Sequence, residues 1–212
     1  MHGQGQESRT PRVSMTLAHL AGVSIGGWFL AGDGFTLRET IVFGCGVIYF
    51  LRYLLTSFVL LQRAVRWPEV VQVGPFLFAV QGTFGYLASR SAIAWRWLDW
   101  VALVLFALGS FLNTASELER RRWKRAPQHK GRLYTQGLFS LSMHINYFGD
   151  TILFTGFALL AASPWALAIP LLMTCLFLTV HIPTLDRYLS EKYPTEFDEW
   201  AKRTKKFVPF VY

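Results

Sequence analysis

The sequence predicts an all-α fold, a polytopic membrane helical bundle of about six transmembrane helices with both termini cytoplasmic. Three observations support this prediction. Hydrophobic residues make up 52% of the 212 residues and aromatic residues 16%, which exceeds a typical soluble composition. Apolar runs long enough to cross a bilayer as a helix recur along the chain. Lysine and arginine gather in alternate loops, as they do on the cytoplasmic side of membrane proteins.

Six apolar runs are the predicted spans. They cover residues 14–31, 40–61, 69–89, 97–115, 146–162 and 164–181. The first is short and glycine-rich, and the second carries Arg52 in its middle. A polar stretch, residues 1–13, precedes the first run and is predicted to be a disordered tail. Because no small-residue cleavage site follows the first run, we expect it to be retained, and residues 14–212 to form a single domain.

The distribution of positive charge orients the spans. With six spans, 17 of the 21 lysines and arginines lie on the side of the two termini, and three lie on the opposite side. Topology therefore accounts for the net charge of +8, and we expect no nucleic-acid partner. Cys45 and Cys175 lie inside spans without metal-ligand spacing, so no metal site is expected. The sequence does not indicate an oligomeric state.

Arg52 is an ionisable residue at bilayer depth, which costs about 2.5–3.5 kcal/mol on insertion scales. Tyr49 precedes it by one helical turn and shares its face, so a phenol and a guanidinium are expected side by side. Such a pair is a candidate for function. The alternative is a structural role, in which Arg52 pairs with a carboxylate or a backbone carbonyl.

The fourth span is predicted to continue out of the membrane as a helix until Pro127. Asn113, Glu117, Arg121 and Lys124 recur along one face of that helix. Arginine and lysine can bind phosphate, and the other two side chains can bind amide or sugar hydroxyl groups. The alternative is that these cations only set topology or attract anionic lipid.

The stretch "MHINYFGD" opens the fifth span with polar residues. Asn146 and Asp150 are four residues apart at a helix start, where free N–H groups suit an anion. Asp150 could equally act as a cap, and His144 could be an interfacial histidine bonded to backbone. Asp186 and Tyr188 lie where the C-terminal tail leaves the membrane, and they could close a cofactor pocket.

The pattern "LNTASE…GLF…NYFGD…YP…VPFVY" resembles the C-terminal half of the steroid 5α-reductase family, a DUF1295-like domain. The wider membrane superfamily includes sterol reductases, trans-2-enoyl-CoA reductases and isoprenylcysteine carboxyl methyltransferases. The resemblance implies a cofactor half at about residues 111–212 that binds NADPH. The implied cofactor-binding residues are Asn113, Glu117, Arg121, Lys124, His144, Asn146, Asp150, Asp186 and Tyr188. Upstream, "YFLR" resembles the family's "YFxR", whose tyrosine faces the substrate carbonyl, so Tyr49 and Arg52 are the implied catalytic residues.

Two departures from the superfamily pattern bear on function. Several branches, the methyltransferases among them, have "RHPNY" where this chain has "MHINY", and this difference favours a reductase. The 5α-reductases also have seven spans and an early carboxylate that pairs with the tyrosine. Here the upstream acids are Glu7, Asp33 and Glu39, in loops or at span edges, so that carboxylate has no clear counterpart.

The resemblance thus implies an integral membrane, NADPH-dependent oxidoreductase acting on a CH–CH group. It would reduce a C=C bond conjugated to a carbonyl in a steroid-like or enoyl lipid. The lipid would enter from the bilayer and the cofactor from the cytoplasmic face. The alternative is an S-adenosylmethionine-dependent methyltransferase of a prenylated or lipidic acceptor, and a third possibility is a non-catalytic membrane protein.

Overall fold

The computed structural model describes residues 9–32 and 35–212, and every regular element in this part of the chain is helical. The predicted all-α fold is confirmed. The helices, numbered in chain order, are α1 (Arg9–Leu30), α2 (Leu37–Leu54), α3 (Trp67–Ser89), α4 (Trp97–Lys124), α5 (Ile145–Leu160), α6 (Ala168–Leu176), α7 (Ile182–Lys192) and α8 (Pro194–Arg203). Wider π-helical turns follow α2 (Leu55–Leu60) and α6 (Phe177–His181), and 3-10 turns occupy Pro127–His129, Gly137–Ser140 and Pro164–Leu167.

Five helical stretches within the described residues are long and apolar enough to cross a membrane. They are Arg9–Leu30, Leu37–Leu60, Trp67–Ser89, Trp97–Lys124 and Pro164–Lys192. The remaining predicted span, residues 146–162, forms α5, which is apolar but has only 16 residues. A span of ordinary tilt needs about 20 residues, so α5 is shorter than the other five. The cytoplasmic placement of both termini stays a prediction.

The first helix begins earlier than expected. Residues 9–13 were predicted in the disordered tail but form the first turn of α1, while residues 1–8 lie outside the described residues. Arg12 explains the difference, because its guanidinium donates to the backbone carbonyl groups of Ser57, Leu61 (3.1 Å) and Arg63 (2.7 Å). Carbonyl groups at a helix end lack intrahelical donors. The arginine supplies donors from another part of the chain and so orders the start of α1.

The chain divides into two compact units. Unit 1 comprises the residues up to Leu103 together with Gly156–Ile169, and unit 2 comprises Val104–Thr155 and Pro170–Tyr212. The first boundary falls inside α4, a few residues before the cofactor half expected at about residue 111. That residues 14–212 form a single domain stays a prediction.

Unit 1 is organised by close packing of α1 against α3. A Cβ atom added at Gly85 would lie 2.6 Å from the Gly26 Cα, and one at Gly26 would lie 2.8 Å from the Gln81 carbonyl oxygen. Small residues of this kind let helix backbones approach closely in membranes. A buried ion pair adds to unit 1: the Arg38 guanidinium lies 2.6 Å and 3.0 Å from the two carboxylate oxygens of Asp99.

In unit 2, glycines likewise allow close backbone packing where α4 crosses α5. A Cβ atom at Gly109 would lie 2.4 Å from the carbonyl oxygen of Gly149, and one at Gly149 would lie 2.8 Å from the backbone nitrogen of Asn113. The two backbones are therefore in direct contact beside two of the predicted cofactor residues. An aromatic core that includes Tyr134, Phe139 and Trp200 supports the connection between these helices.

Candidate functional site

The crossing of α4 and α5 brings three of the predicted cofactor residues together. The Asn113 side-chain amide donates to the Asn146 backbone carbonyl (3.1 Å), and the Asn146 amide donates to the Glu117 carboxylate (3.1 Å). Glu117 also forms an ion pair with Arg120, one turn further along α4. Sequence reasoning did not name Arg120, because it lies beside the periodic face rather than on it. The result is a polar cluster whose acidic member carries its own counter-charge.

The two predicted phosphate-binding cations lie further along α4 and differ from each other. Arg121 is partly buried, and its Nε–H has no hydrogen-bond partner among the described residues. Lys124 is exposed, and its ammonium group donates to the Arg132 carbonyl (3.2 Å) and lies 5.6 Å from the centre of the Tyr193 ring. A buried N–H group without an acceptor is uncommon in folded proteins. Arg121 is therefore the better candidate for binding an anionic ligand.

A second group of polar residues surrounds the start of α5. The His144 side chain is buried, and its Nε2 lies 2.8 Å from one carboxylate oxygen of Asp186. The other oxygen of Asp186 lies 3.1 Å from the Lys206 ammonium nitrogen. The backbone N–H of His144 donates to the Lys206 carbonyl (3.1 Å), so the C-terminal tail is bound to this site by both backbone and side chain. Lys206 was not among the residues that the sequence predicted for the site.

A cavity of about 300 Å³ in unit 2 adjoins this second group. It is lined by Met143, Asp186, Phe197, Ala201, Thr204, Lys205, Lys206, Val211 and Tyr212. Two lysines on the wall make the cavity suitable for an anionic group, since ammonium groups bind phosphate as point charges.

The last two predicted cofactor residues are placed differently. Asp150 lies on α5, one turn after Asn146, and is partly buried. Tyr188 is 52% exposed, and its hydroxyl accepts a hydrogen bond from Lys192 (2.7 Å) on the same helix. Tyr188 is therefore engaged at the surface of α7, whereas Asp150 is part of the polar face of α5.

The loop between α4 and α5 is held in place by two carboxylates. Glu119 accepts from the Leu138 backbone N–H (3.0 Å), and burial together with this carboxylate raises the pKa of Tyr134. Glu196 on α8 accepts from the Leu133 backbone N–H (2.7 Å) and from Arg132 (3.0 Å). Burial by itself raises the pKa of Glu196, but these two donors outweigh burial and the pKa is lowered.

The two predicted catalytic residues belong to unit 1. Tyr49 and Arg52 are both partly buried on α2, one turn apart as expected. Tyr49 packs against the apolar cluster of Met15, Val65 and Leu77. Its ring centre lies 4.9 Å from that of His19, a fully buried residue of α1 that sequence reasoning did not select.

The acids upstream of Tyr49 supply no catalytic carboxylate in the described part of the chain. Glu39 accepts from the backbone N–H of Thr36 (2.7 Å) and completes a capping box at the start of α2. Glu7 and Asp33 lie outside the described residues.

A family model described as "Protein of unknown function (DUF1295)" matches residues 69–204. The chain belongs to the DUF1295 family. This membership confirms the resemblance noted in the sequence. All nine predicted cofactor-binding residues of this DUF1295 protein fall inside the matched range, whereas Tyr49 and Arg52 precede it.

Two curated proteins are similar to this DUF1295 chain. One is a probable O-methyltransferase, ustE, of Ustilaginoidea virens, which is 29% identical over 169 residues. That match covers 78% of this chain but only 53% of ustE. The other is 3-oxo-5-alpha-steroid 4-dehydrogenase 1 of Mus musculus, 27% identical over 179 residues, with 76% of this chain and 68% of the mouse protein covered. The chain thus spans about half the length of the first relative.

Proposed function

We propose that this DUF1295 protein is a membrane-embedded, NADPH-dependent reductase of a C=C bond conjugated to a carbonyl in a steroid-like or enoyl lipid. The observation that carries the proposal is Arg121, whose buried Nε–H donor has no acceptor among the described residues. It lies one turn beyond Glu117, on the helix face that carries the amide and carboxylate groups. The similarity to a mouse steroid dehydrogenase supports the same chemistry.

The residues of unit 2 fit a dinucleotide with phosphate groups. Arg121 and Lys124 would bind phosphate through charge-assisted hydrogen bonds, while Asn113, Glu117 and Asn146 would bind amide or sugar hydroxyl groups. His144, Asp150, Asp186 and Tyr188 complete the proposed cofactor-binding set. When bound, NADPH supplies a hydride to the β-carbon of the conjugated lipid. The cofactor side of the protein would face the cytoplasm.

Tyr49 and Arg52 are assigned to the lipid substrate. The phenol of Tyr49 donates a hydrogen bond to the carbonyl oxygen and stabilises the enolate that forms during reduction. Arg52 lowers the cost of that negative charge. Because apolar residues pack against Tyr49, water competes little for this hydrogen bond, and such donors contribute most in dry sites. Transfer of a proton to the α-carbon of the enolate then completes the reduction. The lipid would reach the protein from the bilayer.

Binding measurements on detergent-purified protein test the cofactor. NADPH carries phosphate groups, whereas S-adenosylmethionine has none and bears a positive sulfonium. The double variant Arg121→Gln/Lys124→Gln should weaken NADPH binding by about tenfold to a hundredfold, because each charge-assisted hydrogen bond contributes about 1.5–3 kcal/mol and part of that is retained by glutamine. Rising salt should weaken NADPH binding to the wild type by screening the same contacts.

A matched control removes the same charge outside the proposed site. Arg122 and Arg125 are both exposed, at the end of α4 and just beyond it. Arg122→Gln/Arg125→Gln should leave NADPH affinity within about twofold, since exposed charges contribute little. Equal losses in the two double variants would mean that general attraction, and not a phosphate site, binds the cofactor.

A second candidate function is S-adenosylmethionine-dependent methylation of a lipidic acceptor. It is favoured by the similarity to ustE, a probable O-methyltransferase. Under this alternative, Arg121→Gln/Lys124→Gln should leave S-adenosylmethionine affinity unchanged or slightly improved, because no phosphate is bound and two cations are removed from near a sulfonium. Micromolar S-adenosylmethionine binding without saturable NADPH binding would replace the reductase proposal with methyl transfer.

A further inference from the structure

Unit 1 contains a buried polar cluster beside Tyr49 whose central residue has no role in the cofactor site or in the proposed reaction. Its centre is His19 on α1, whose side chain is 0% exposed. The rings of Tyr49, Phe50 and Tyr53 surround the imidazole, with centre-to-centre distances of 4.9, 5.2 and 5.1 Å. A fourth neighbour is Gln81 of α3, whose side-chain amide nitrogen lies 3.0 Å from the imidazole Nε2. All four of these neighbours are uncharged.

The hydrogen bonds of Gln81 determine which imidazole nitrogen carries the proton. The Gln81 amide nitrogen donates to the Gly46 carbonyl oxygen (2.9 Å), and a carbonyl oxygen can only accept. The same nitrogen lies 3.0 Å from His19 Nε2. An amide NH₂ group has two hydrogens, so it donates one to each partner, and His19 Nε2 is an acceptor. The proton of the neutral imidazole is therefore on Nδ1.

That Nδ1–H group has no hydrogen-bond partner among the described residues, although it is fully buried. The hydroxyl of Tyr53, whose ring packs against the same imidazole, is also buried without a partner in this part of the structure. Leaving a buried donor unsatisfied is costly, and native structures rarely do so. Two such donors around one side chain indicate a ligand atom that accepts hydrogen bonds.

We infer that His19 Nδ1–H, together with the Tyr53 hydroxyl, binds the carbonyl oxygen of a neutral lipid ligand beside Tyr49. The inference rests on the proposed function for the choice of a carbonyl lipid. A neutral acceptor is expected because these four neighbours of His19 are uncharged, so they compensate poorly for the hydration that a carboxylate or phosphate would lose there. The neutral imidazole already carries a proton on Nδ1, so it can donate a hydrogen bond to the oxygen without being protonated further.

The test compares two probes that differ only in the oxygen, 4-cholesten-3-one and 4-cholestene. Both are titrated into purified wild-type protein in lipid nanodiscs, without NADPH. Because one hydrogen bond to a buried neutral acceptor contributes about 1.4 kcal/mol, which equals a tenfold change in affinity, the ketone should bind about tenfold more tightly than the hydrocarbon. No preference for the ketone would overturn the inference.

Substitutions of His19 then test whether this residue causes the preference for the ketone over the hydrocarbon. His19→Phe keeps an aromatic ring and removes the donor, so it should lose most of the ketone preference. His19→Asn keeps an amide N–H near the position of Nδ1 and should retain more of the preference than His19→Phe. His129→Phe is the matched control, the same substitution in the α4–α5 loop, where the ring stacks on Trp123. Full ketone preference in His19→Phe would overturn the inference.

A measurement on the wild type covers the case in which His19→Phe does not fold. In protein labelled with ¹⁵N-histidine, the Nδ1–H proton resonance of His19 should move downfield with 4-cholesten-3-one and stay unchanged with 4-cholestene. An unchanged resonance at saturating ketone would overturn the inference. Because neither experiment contains a cofactor, a negative result here leaves the NADPH test unaffected. A protein that fails to bind NADPH can in turn still show the ketone preference.

Discussion

The polar cluster around His19 in unit 1 and the polar face of α4 and α5 in unit 2 are built from different kinds of side chain. Around His19 the groups are an imidazole, an amide and phenols, enclosed by apolar residues. On α4 and α5 they include Glu117 and the partly exposed Arg120. Neutral donors can be buried at moderate cost, whereas charges need water or a counter-charge. The difference suits an uncharged lipid in unit 1 and a phosphorylated cofactor in unit 2.

The loss of one phenol in unit 1 should have the largest effect. Tyr49→Phe removes the proposed donor to the carbonyl oxygen and keeps the ring that packs against Met15 and Leu77. Turnover of a conjugated lipid ketone should fall by roughly 10²–10³, the range for one lost oxyanion donor, with NADPH affinity unchanged. Steady-state kinetics and NADPH titration measure the two effects separately. Wild-type turnover in this variant would remove Tyr49 from the mechanism.

Adding a side chain where α4 and α5 are in backbone contact should have the next largest effect, a loss of stability in unit 2. Gly109→Ala would place a Cβ atom 2.4 Å from the Gly149 carbonyl oxygen, so the helix backbones must separate. We expect thermal unfolding at lower temperature, with a loss of about 1–3 kcal/mol in stability and weaker NADPH binding. The control is Gly44→Ala on α2, where no atom of the described residues outside the local helix backbone lies within 4 Å of the added Cβ. Equal stability in the two variants would contradict the close packing.

A smaller effect is expected from the amide that connects α5 to α4. Asn146→Ala removes a hydrogen bond to Glu117 without altering the net charge. NADPH affinity should fall by about twofold to tenfold, since a neutral hydrogen bond contributes about 0.5–1.5 kcal/mol. Ketone preference in unit 1 should not change. Unaltered NADPH affinity would exclude Asn146 from the cofactor site.

The smallest effect concerns the loop between α4 and α5, and it depends on pH. The pKa of Glu196 is lowered in the folded protein, so the carboxylate stabilises the fold at pH values above its unfolded pKa. This contribution is lost as the pH falls through the folded pKa. Glu196→Gln should therefore lower the unfolding temperature slightly at pH 7 and make no difference at strongly acidic pH. A constant difference between wild type and variant across pH would show that Glu196 does not act through its charge.

Much of the fold could be predicted from local pattern. The apolar runs predicted the five membrane-length helices and the shorter α5, and the fourth span was predicted to continue as a helix until Pro127, three residues beyond its observed end at Lys124. These signals are local because helix hydrogen bonds join residues four apart and the bilayer sets the length of a span. The resemblance in "LNTASE" and "NYFGD" likewise pointed to family membership.

The hydrogen-bond and ion-pair partners that the sequence did not predict are distant along the chain. Gln81 is 62 residues from His19, and Lys206 is 20 residues from Asp186 on a different segment. His19 stands in a largely apolar run, and its partner Gln81 lies on a different helix, so local spacing does not reveal the contact. Residues 9–13 were assigned to a disordered tail from their polar composition, and the acceptors of Arg12 that order them lie 45 residues or more along the chain.

The sequence by itself therefore determined the helical class, the approximate spans, the family and the polar face of α4, because these depend on composition and on spacing within one helix. Only the tertiary structure decided which polar groups meet. It paired Glu117 of α4 with Asn146 of α5, and it placed Gln81 against His19 Nε2 so that the buried Nδ1 carries the proton. Hydrogen bonds act over about 3 Å, so they are determined by how helices pack and not by the order of residues along one of them.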